Sequence, residues 1–162
     1  MPAGIDLAPS SGITVYIERM SMDTTCSCGK VPARLAKIPP RVLVVDDEPL
    51  VRWSVSAGLR AAGFEALPVA DAEEALGLAR SAPPDVVLFD IRLWNTDPGR
   101  LLADLRDAAP MCRFLILAVT GQEIPYARFE GVDVIRKPYD LHDVVRTVEA
   151  AVCAVHRMKS AL

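Results

Sequence analysis

Long apolar runs and a leader-like N-terminus are both missing from this sequence. No apolar stretch reaches the length that a bilayer crossing requires. The first residues do not place a basic segment ahead of an apolar one, which a secretory signal needs. We therefore expect a cytoplasmic protein that does not contact membranes.

An excess of positive charge is also lacking. The 162 residues carry 18 Lys and Arg against 21 Asp and Glu, a formal net charge of −3. Because phosphate backbones are bound by clustered Lys and Arg, we expect no direct binding of nucleic acid. What the chain does have is 51% hydrophobic residues, enough to bury the core of a domain.

Cysteines with the spacing of a metal site are absent as well. Cys26 and Cys28 stand too close together for the usual zinc half-site, and no second pair of ligands completes one. Cys112 and Cys153 lie among apolar residues and are predicted to be small core residues. We expect reduced thiols throughout, as is usual in the cytosol.

The chain divides near residue 40 into two parts of different composition. Residues 1–39 mix Pro, Ser, Thr and Gly without a sustained period, which predicts an N-terminal extension with little fixed structure. Residues 40–158 alternate strand and helix patterns five times, which predicts an α/β domain with a doubly wound parallel sheet. The predicted strands cover residues 42–45, 64–70, 85–90, 114–119 and 132–136.

Individual residues mark where the predicted helices begin and end. Pro49 suits the first turn of the first helix, and Gly63 ends that helix. Pro68 inside the second strand predicts a sheet edge, because proline has no N–H to donate to a neighbouring strand. Asp71 can cap the second helix, with Glu74 three residues on. Further helices are predicted over residues 100–108, 122–130 and 141–157.

Polar residues stand at the carboxyl ends of four predicted strands, where parallel sheets gather their chemistry. Asp46 and Asp47 follow the first strand, and Asp90 ends the third. Thr120 follows the fourth strand and Lys137 the fifth. Taken singly, each residue is typical of a turn, a helix cap or a solvated surface. Together, at the ends of four apolar runs, they indicate a functional site.

If the first and third strands are neighbours, Asp46, Asp47 and Asp90 converge, and three carboxylates together need a compensating cation. Like charges about 4 Å apart repel by roughly 4 kcal/mol per pair at an intermediate dielectric. Mg²⁺ prefers a few carboxylates together with water and a phosphate oxygen. A carboxylate nucleophile beside this metal, an ammonium group and a hydroxyl predicts a site for phosphoryl transfer to an aspartate.

Four stretches of the sequence resemble the receiver domain of response regulators in two-component signalling. They read VLVVDDE (42–48), VVLFDIRL (86–93), LILAVTG (115–121) and VIRKPYD (134–140). The resemblance covers roughly residues 41–155, and LVRWS (50–54) is similar to receivers of the NtrC type. It implies a flavodoxin-like (CheY-like) fold, with five strands in the order 2-1-3-4-5.

The resemblance implies roles for the acidic residues. Asp90 would accept a phosphoryl group from a phosphohistidine on a sensor histidine kinase or a histidine phosphotransfer protein. Asp47 would bind Mg²⁺ directly and Asp46 largely through water. Asp90 and the backbone carbonyl of Arg92 would complete the protein ligands of the metal.

It also implies roles for two residues that contact the transferred group. Thr120 would swing towards the phosphoryl group and Lys137 would pair with it, with a cis bond between Lys137 and Pro138. The family implies a signalling protein rather than a conventional enzyme, with at most self-catalysed phosphotransfer and autodephosphorylation. Its protein-binding surface would switch on phosphorylation.

Some positions depart from the family pattern. Trp94 stands where the family often has proline, and the loop over 95–99 differs from the usual one. The chain between Thr120 and Lys137 is short, so we expect a shortened fourth helix. Val134 replaces an aromatic residue that usually moves with the threonine, so the output surface should be unusual.

Two functions remain open at this point. Because the chain ends at residue 162, soon after the last predicted helix, we expect a single-domain response regulator. The alternative is a pseudo-receiver, a protein-interaction module that acts without phosphorylation, which the altered loops suggest. An aspartyl-phosphate hydrolase is disfavoured, because Arg92 stands where that chemistry needs a second aspartate.

Overall fold

The computed structural model describes residues 38–119 and 129–161, and its centre is a five-stranded parallel sheet. The strands lie in the order β2-β1-β3-β4-β5, which confirms the predicted fold. Their bounds are β1 Arg41–Val45, β2 Glu65–Val69, β3 Val86–Asp90, β4 Arg113–Val119 and β5 Asp133–Lys137. The helices are α1 Pro49–Ala61, α2 Ala72–Ser81, α3 Pro98–Ala108 and α4 Leu141–Ser160.

The sheet is buried on both faces, as continuous apolar strands require. Successive side chains of β1 point to opposite faces, because a strand repeats every two residues. Val42 and Val44 pack in the cluster that includes α1 and α4, whereas Leu43 and Val45 pack in the cluster that includes α2 and α3. Two cores therefore hold the carboxyl ends of the strands at fixed positions.

The residues predicted to mark helix and strand boundaries do so. Pro49 occupies the first turn of α1, and Gly63 follows that helix with a φ of 97°. Pro68 lies in β2, which among the described strands pairs only with β1 and forms an edge of the sheet. The Asp71 carboxylate caps α2 by accepting a hydrogen bond from the Glu74 N–H at 2.9 Å.

Several predicted boundaries were wrong by a few residues. Helix α3 begins at Pro98 rather than at residue 100, because the Asp97 carboxylate accepts the Arg100 N–H at 2.9 Å and caps the helix there. Strand β5 extends to Lys137, and α4 continues past residue 157 to Ser160. Cys112 is buried as predicted, but Cys153 is partly exposed.

Part of the sequence prediction concerns residues outside the described ranges. Residues 1–37 of the predicted extension 1–39, with Cys26 and Cys28, lie outside these ranges. So do residues 122–128 of the short helix that was predicted over 122–130. Thr120 lies outside the described ranges too, as does the first part of the segment between Thr120 and Lys137, where the shortened fourth helix was predicted. That helix is not α4, which follows β5. Residues 129 and 130 belong to a turn rather than to a helix. Among residues 38–119 and 129–161, no helix combines the length and apolar character that a bilayer crossing requires.

Candidate functional site

The carboxyl ends of β1, β3 and β5 bring an acidic cluster and a lysine together. Asp46 follows β1 directly, while Asp90 and Lys137 are the last residues of β3 and β5. Strands β1 and β3 are neighbours in the sheet. One carboxylate oxygen from each of Asp46, Asp47 and Asp90 lies within 4.8 Å of the other two. The structure thus brings the predicted carboxylates together at the carboxyl ends of the strands.

Asp46 and Asp90 adopt the same local turn. Each carboxylate accepts a hydrogen bond through Oδ1 from the backbone N–H two residues further on, from Glu48 at 2.9 Å and from Arg92 at 3.0 Å. Such turns are characteristic of aspartate after a strand. They fix one oxygen of each carboxylate and leave the other, Oδ2, to face the rest of the cluster.

Lys137 lies between the Oδ2 atoms of Asp46 and Asp90. Its Nζ donates to Asp90 Oδ2 at 2.6 Å and lies 3.7 Å from Asp46 Oδ2. The lysine side chain is 19% exposed, so solvent screens this pairing only partly. The bond between Lys137 and Pro138 is cis, as the resemblance implied.

Two of the three carboxylates are buried close together, and the single charge of Lys137 offsets their repulsion only in part. Asp46 is fully buried and Asp90 is 5% exposed, whereas Asp47 is exposed. Burial raises the pKa of the Asp46 carboxyl above its ordinary value, against the opposing effects of the Glu48 N–H and the Lys137 charge. The charges of Asp90 and Asp47 add to the rise.

The cluster fits a hard divalent cation. Asp46 Oδ2 is buried and has no hydrogen-bond partner among the described residues, because 3.7 Å to Lys137 Nζ is too long for a hydrogen bond. An unsatisfied buried carboxylate oxygen is costly. The available donors are all oxygens, which is the donor set that Mg²⁺ prefers. A cation at this position would satisfy the free oxygen and offset the repulsion between the carboxylates.

Two residues near the cluster were not predicted from the sequence. Arg52 on α1 donates from Nη1 to the backbone carbonyl of Asp46 at 2.6 Å. Tyr139 is half-buried, and burial followed by the charges of Asp46, Asp90 and Glu48 raises the pKa of its hydroxyl to about 12. Both lie in stretches that carry the family resemblance, Arg52 in LVRWS (50–54) and Tyr139 in VIRKPYD (134–140), but the sequence analysis gave neither of them a role.

Three other residues that the sequence analysis named are described by the structure, and a fourth is not. Arg92 lies at the surface, and its N–H is the donor to Asp90 described above. Trp94 is 77% exposed in the loop that follows β3. Val134 is half-buried and packs against the core on the α2 and α3 side of the sheet. Thr120 falls outside the described residues, so its predicted role stays a prediction.

Known proteins share this sequence pattern over most of the chain. The chain is 32% identical over 114 residues to the transcriptional regulatory protein PrrA of Mycobacterium tuberculosis, covering 68% of this chain and 49% of PrrA. It is 31% identical over 114 residues to the DNA-binding transcriptional regulator NtrC of Salmonella typhimurium, covering 68% of this chain and 24% of NtrC. The chain therefore spans about half the length of PrrA and a quarter of NtrC.

Solved structures and a family model agree with these similarities. The chemotaxis protein CheY4 of Vibrio cholerae superposes with a TM-score of 0.62 at 25% identity, covering 69% of this chain and 98% of CheY4. The family model of the response regulator receiver domain matches residues 42–149. This chain therefore belongs to the response regulator receiver domain family of two-component signalling.

Proposed function

We propose that residues 40–158 are a receiver that is switched by phosphorylation of Asp90 and that residues 1–39 are an extension of it. The phosphoryl donor is a phosphohistidine on a sensor histidine kinase or a histidine phosphotransfer protein in the cytoplasm. One observation carries the proposal. Lys137 Nζ lies 2.6 Å from Asp90 Oδ2 and 3.7 Å from Asp46 Oδ2, and both of these aspartates are buried. The exposed Asp47 has a carboxylate oxygen within 4.8 Å of an oxygen of each of them.

Four groups would hold Mg²⁺ in this proposal. They are the carboxylates of Asp46, Asp47 and Asp90 and the backbone carbonyl of Arg92. When bound, the metal neutralises charge on the oxygens of the transferred phosphoryl group. The free Asp46 Oδ2 and the mutual proximity of the three carboxylates support this ligand set.

The chain's own residues supply the remaining chemistry. An Asp90 carboxylate oxygen attacks phosphorus as the nitrogen–phosphorus bond of the donor breaks, and the imidazole nitrogen keeps the electron pair and takes a proton from solvent. Lys137 already contacts Asp90, so its ammonium can follow the negative charge onto the new phosphoryl oxygens. Thr120, which follows Val119 in the sequence, is proposed to donate its hydroxyl to the same group.

The transferred group changes the charge balance at the sheet edge. A phosphoryl group on Asp90 adds negative charge beside Lys137 and draws the ammonium away from Asp46. Such a local change biases a surface that has two arrangements. The downstream effector is proposed to be a protein that binds one of these arrangements. The names of PrrA and NtrC describe regulators of transcription, whereas the similarity lies in the receiver.

Beryllofluoride together with Mg²⁺ tests this proposal against a pseudo-receiver. Beryllofluoride mimics a phosphoryl group on aspartate, so it should raise the thermal unfolding midpoint of the wild-type protein when both components are present. Saturation at a hundred times the dissociation constant corresponds to about 2.7 kcal/mol. Asp90→Asn should abolish this response. An unchanged midpoint in the wild-type protein would contradict the proposal and favour an interaction module that needs no phosphate.

A further inference from the structure

Arg52 holds the backbone of the loop that carries two of the proposed metal ligands. It lies in the first part of α1, and its Nη1 donates to the Asp46 carbonyl at 2.6 Å. Arg52 is partly buried, so this bond is shielded from competition with water. A hydrogen bond from a charged donor at this distance belongs to the strong class.

Arg52 is the fourth residue of α1 and lies near the N-terminal end of the helix. The N-terminal end of a helix carries partial positive charge, so cations there are disfavoured. The first turn of α1 contains no acidic residue, although the N-cap residue Glu48 carries a negative charge. Arginine forms helices well at any interior position, so what is particular to this position is the tertiary contact to the Asp46 carbonyl.

Fixing the Asp46 carbonyl also fixes the adjoining acidic groups. The Asp46 N–H donates to the Val69 carbonyl at 3.3 Å, and the Asp46 carboxylate is held by the Glu48 N–H. Arg52 supplies the third contact to the same residue, from the helix side. The N–H, the carbonyl and Oδ1 of Asp46 are all hydrogen-bonded, so the direction of its Oδ2 is fixed. The peptide unit that joins Asp46 to Asp47 is fixed as well, because it contains the Asp46 carbonyl.

We infer that Arg52 is a positioning residue for Mg²⁺, acting through the backbone of Asp46 without contacting the ion. This inference rests on the proposed function, since it concerns the same ion. Outer groups that orient metal ligands typically contribute a factor of 10 to 100 in metal affinity. Removal of a nearby cation alone would have the opposite effect, because less positive charge favours Mg²⁺.

The chain offers a matched control on the same helix. Arg60 also lies on α1 and donates from Nη2 to a backbone carbonyl, that of Ala66 at 2.9 Å, at the opposite end of the helix. Arg60→Ala therefore removes the same kind of bond and the same charge away from the acidic cluster. Any general loss of helix or loop stability should affect both variants.

The experiment compares the Mg²⁺ dissociation constants of the wild-type protein, Arg52→Ala and Arg60→Ala. Each constant comes from the thermal unfolding midpoint over a MgCl₂ titration at constant ionic strength. We expect Arg52→Ala to weaken Mg²⁺ binding about tenfold, while Arg60→Ala binds like the wild-type protein. Arg52→Lys keeps the charge and one donor, and it should show a smaller loss in the same direction. It replaces Arg52→Ala if that variant does not fold.

The outcomes separate this inference from the proposed function. If the wild-type protein responds to Mg²⁺ and the Arg52 variants bind it as tightly or more tightly, the positioning role is wrong and the proposed function stands. If Arg52→Ala and Arg60→Ala weaken Mg²⁺ binding equally, the cause is a general loss of stability. That result would also overturn the positioning role. A wild-type protein without any response to Mg²⁺ would overturn both.

Discussion

At the scale of single residues, Asp46 and Asp90 were predictable and Arg52 was not. Each aspartate ends an apolar run, so hydrophobic patterning alone locates it at a strand terminus. Arg52 contacts a backbone carbonyl, and a carbonyl is present at every position, so no pairing of residue types marks the contact. The turn that directs Asp46 Oδ2 inward is one that aspartate after a strand favours, so its type follows in part from sequence.

Ser56 on α1 contains a buried polar atom whose removal should stabilise the protein. Its Oγ is buried and has no hydrogen-bond partner within the described part of the chain. An unsatisfied buried hydroxyl costs about 1–3 kcal/mol, so Ser56→Ala should raise the free energy of unfolding by about 1 kcal/mol in urea denaturation.

Ser54→Ala is the control for that substitution. The Ser54 hydroxyl is exposed and donates to the Val51 carbonyl at 3.1 Å, so its removal should change stability by less than about 0.5 kcal/mol. A marked loss of stability in Ser56→Ala, with Ser54→Ala unchanged, would mean that the buried hydroxyl has a partner and would contradict the prediction.

Cys112 should be chemically inert in the folded protein. Burial, with a smaller contribution from Asp85, raises the pKa of its thiol to about 12. Because the thiolate is the reactive form, iodoacetamide should label Cys112 far more slowly than the partly exposed Cys153, as read by peptide mass spectrometry. Labelling of both at equal rates under native conditions would show that the thiol is accessible.

The same raised pKa has a consequence for stability in alkaline solution. In the unfolded chain the thiol ionises near its ordinary pKa of 9.0, while in the folded protein it stays protonated until about 12. As pH rises, the thiol of the unfolded state releases its proton first. The free energy of unfolding therefore falls as pH rises from 9.0 to about 12.

At the scale of elements, the contact between α1 and α4 depends on a glycine. A Cβ added at Gly58 would lie 2.5 Å from Leu141 Cδ2 and 2.8 Å from Leu141 Cγ. Overpacking of this kind costs about 1–3 kcal/mol, so Gly58→Ala should lower the free energy of unfolding in urea despite the better helix propensity of alanine.

Gly77 provides the opposite case on α2. A Cβ there would meet nothing within 4 Å, so Gly77→Ala should raise the free energy of unfolding by about 0.5–1 kcal/mol. Opposite signs for the two substitutions are expected. Stabilisation by Gly58→Ala as well would mean that Leu141 rotates away freely and that the two helices are not closely packed.

Elements were predicted from sequence more accurately at their centres than at their ends. The apolar strands were found because runs such as Val86–Asp90 are buried on both faces. The start of α3 was missed because Asp97 and Pro98 are equally typical of a loop and of a helix start, and only the bond to the Arg100 N–H decides between them.

At the scale of the whole molecule, periodicity predicted the class of sheet but not its strand order. The alternation of strands and helices requires a parallel sheet with two covered faces, and the two cores confirm this. The order 2-1-3-4-5 came from the family resemblance, because apolar strands do not specify their neighbours. That order places β3 between β1 and β4 and brings Asp46 and Asp90 together.

We propose that this assembly makes Asp90 a phosphoryl acceptor. The most direct measurement is the intact mass of the protein after incubation with acetyl phosphate and Mg²⁺, for the wild-type protein, Asp90→Asn and Asp107→Asn, an exposed control on α3. We expect one added phosphoryl group on the wild-type and Asp107→Asn proteins and none on Asp90→Asn. Labelling of Asp90→Asn at the wild-type rate would contradict this proposal.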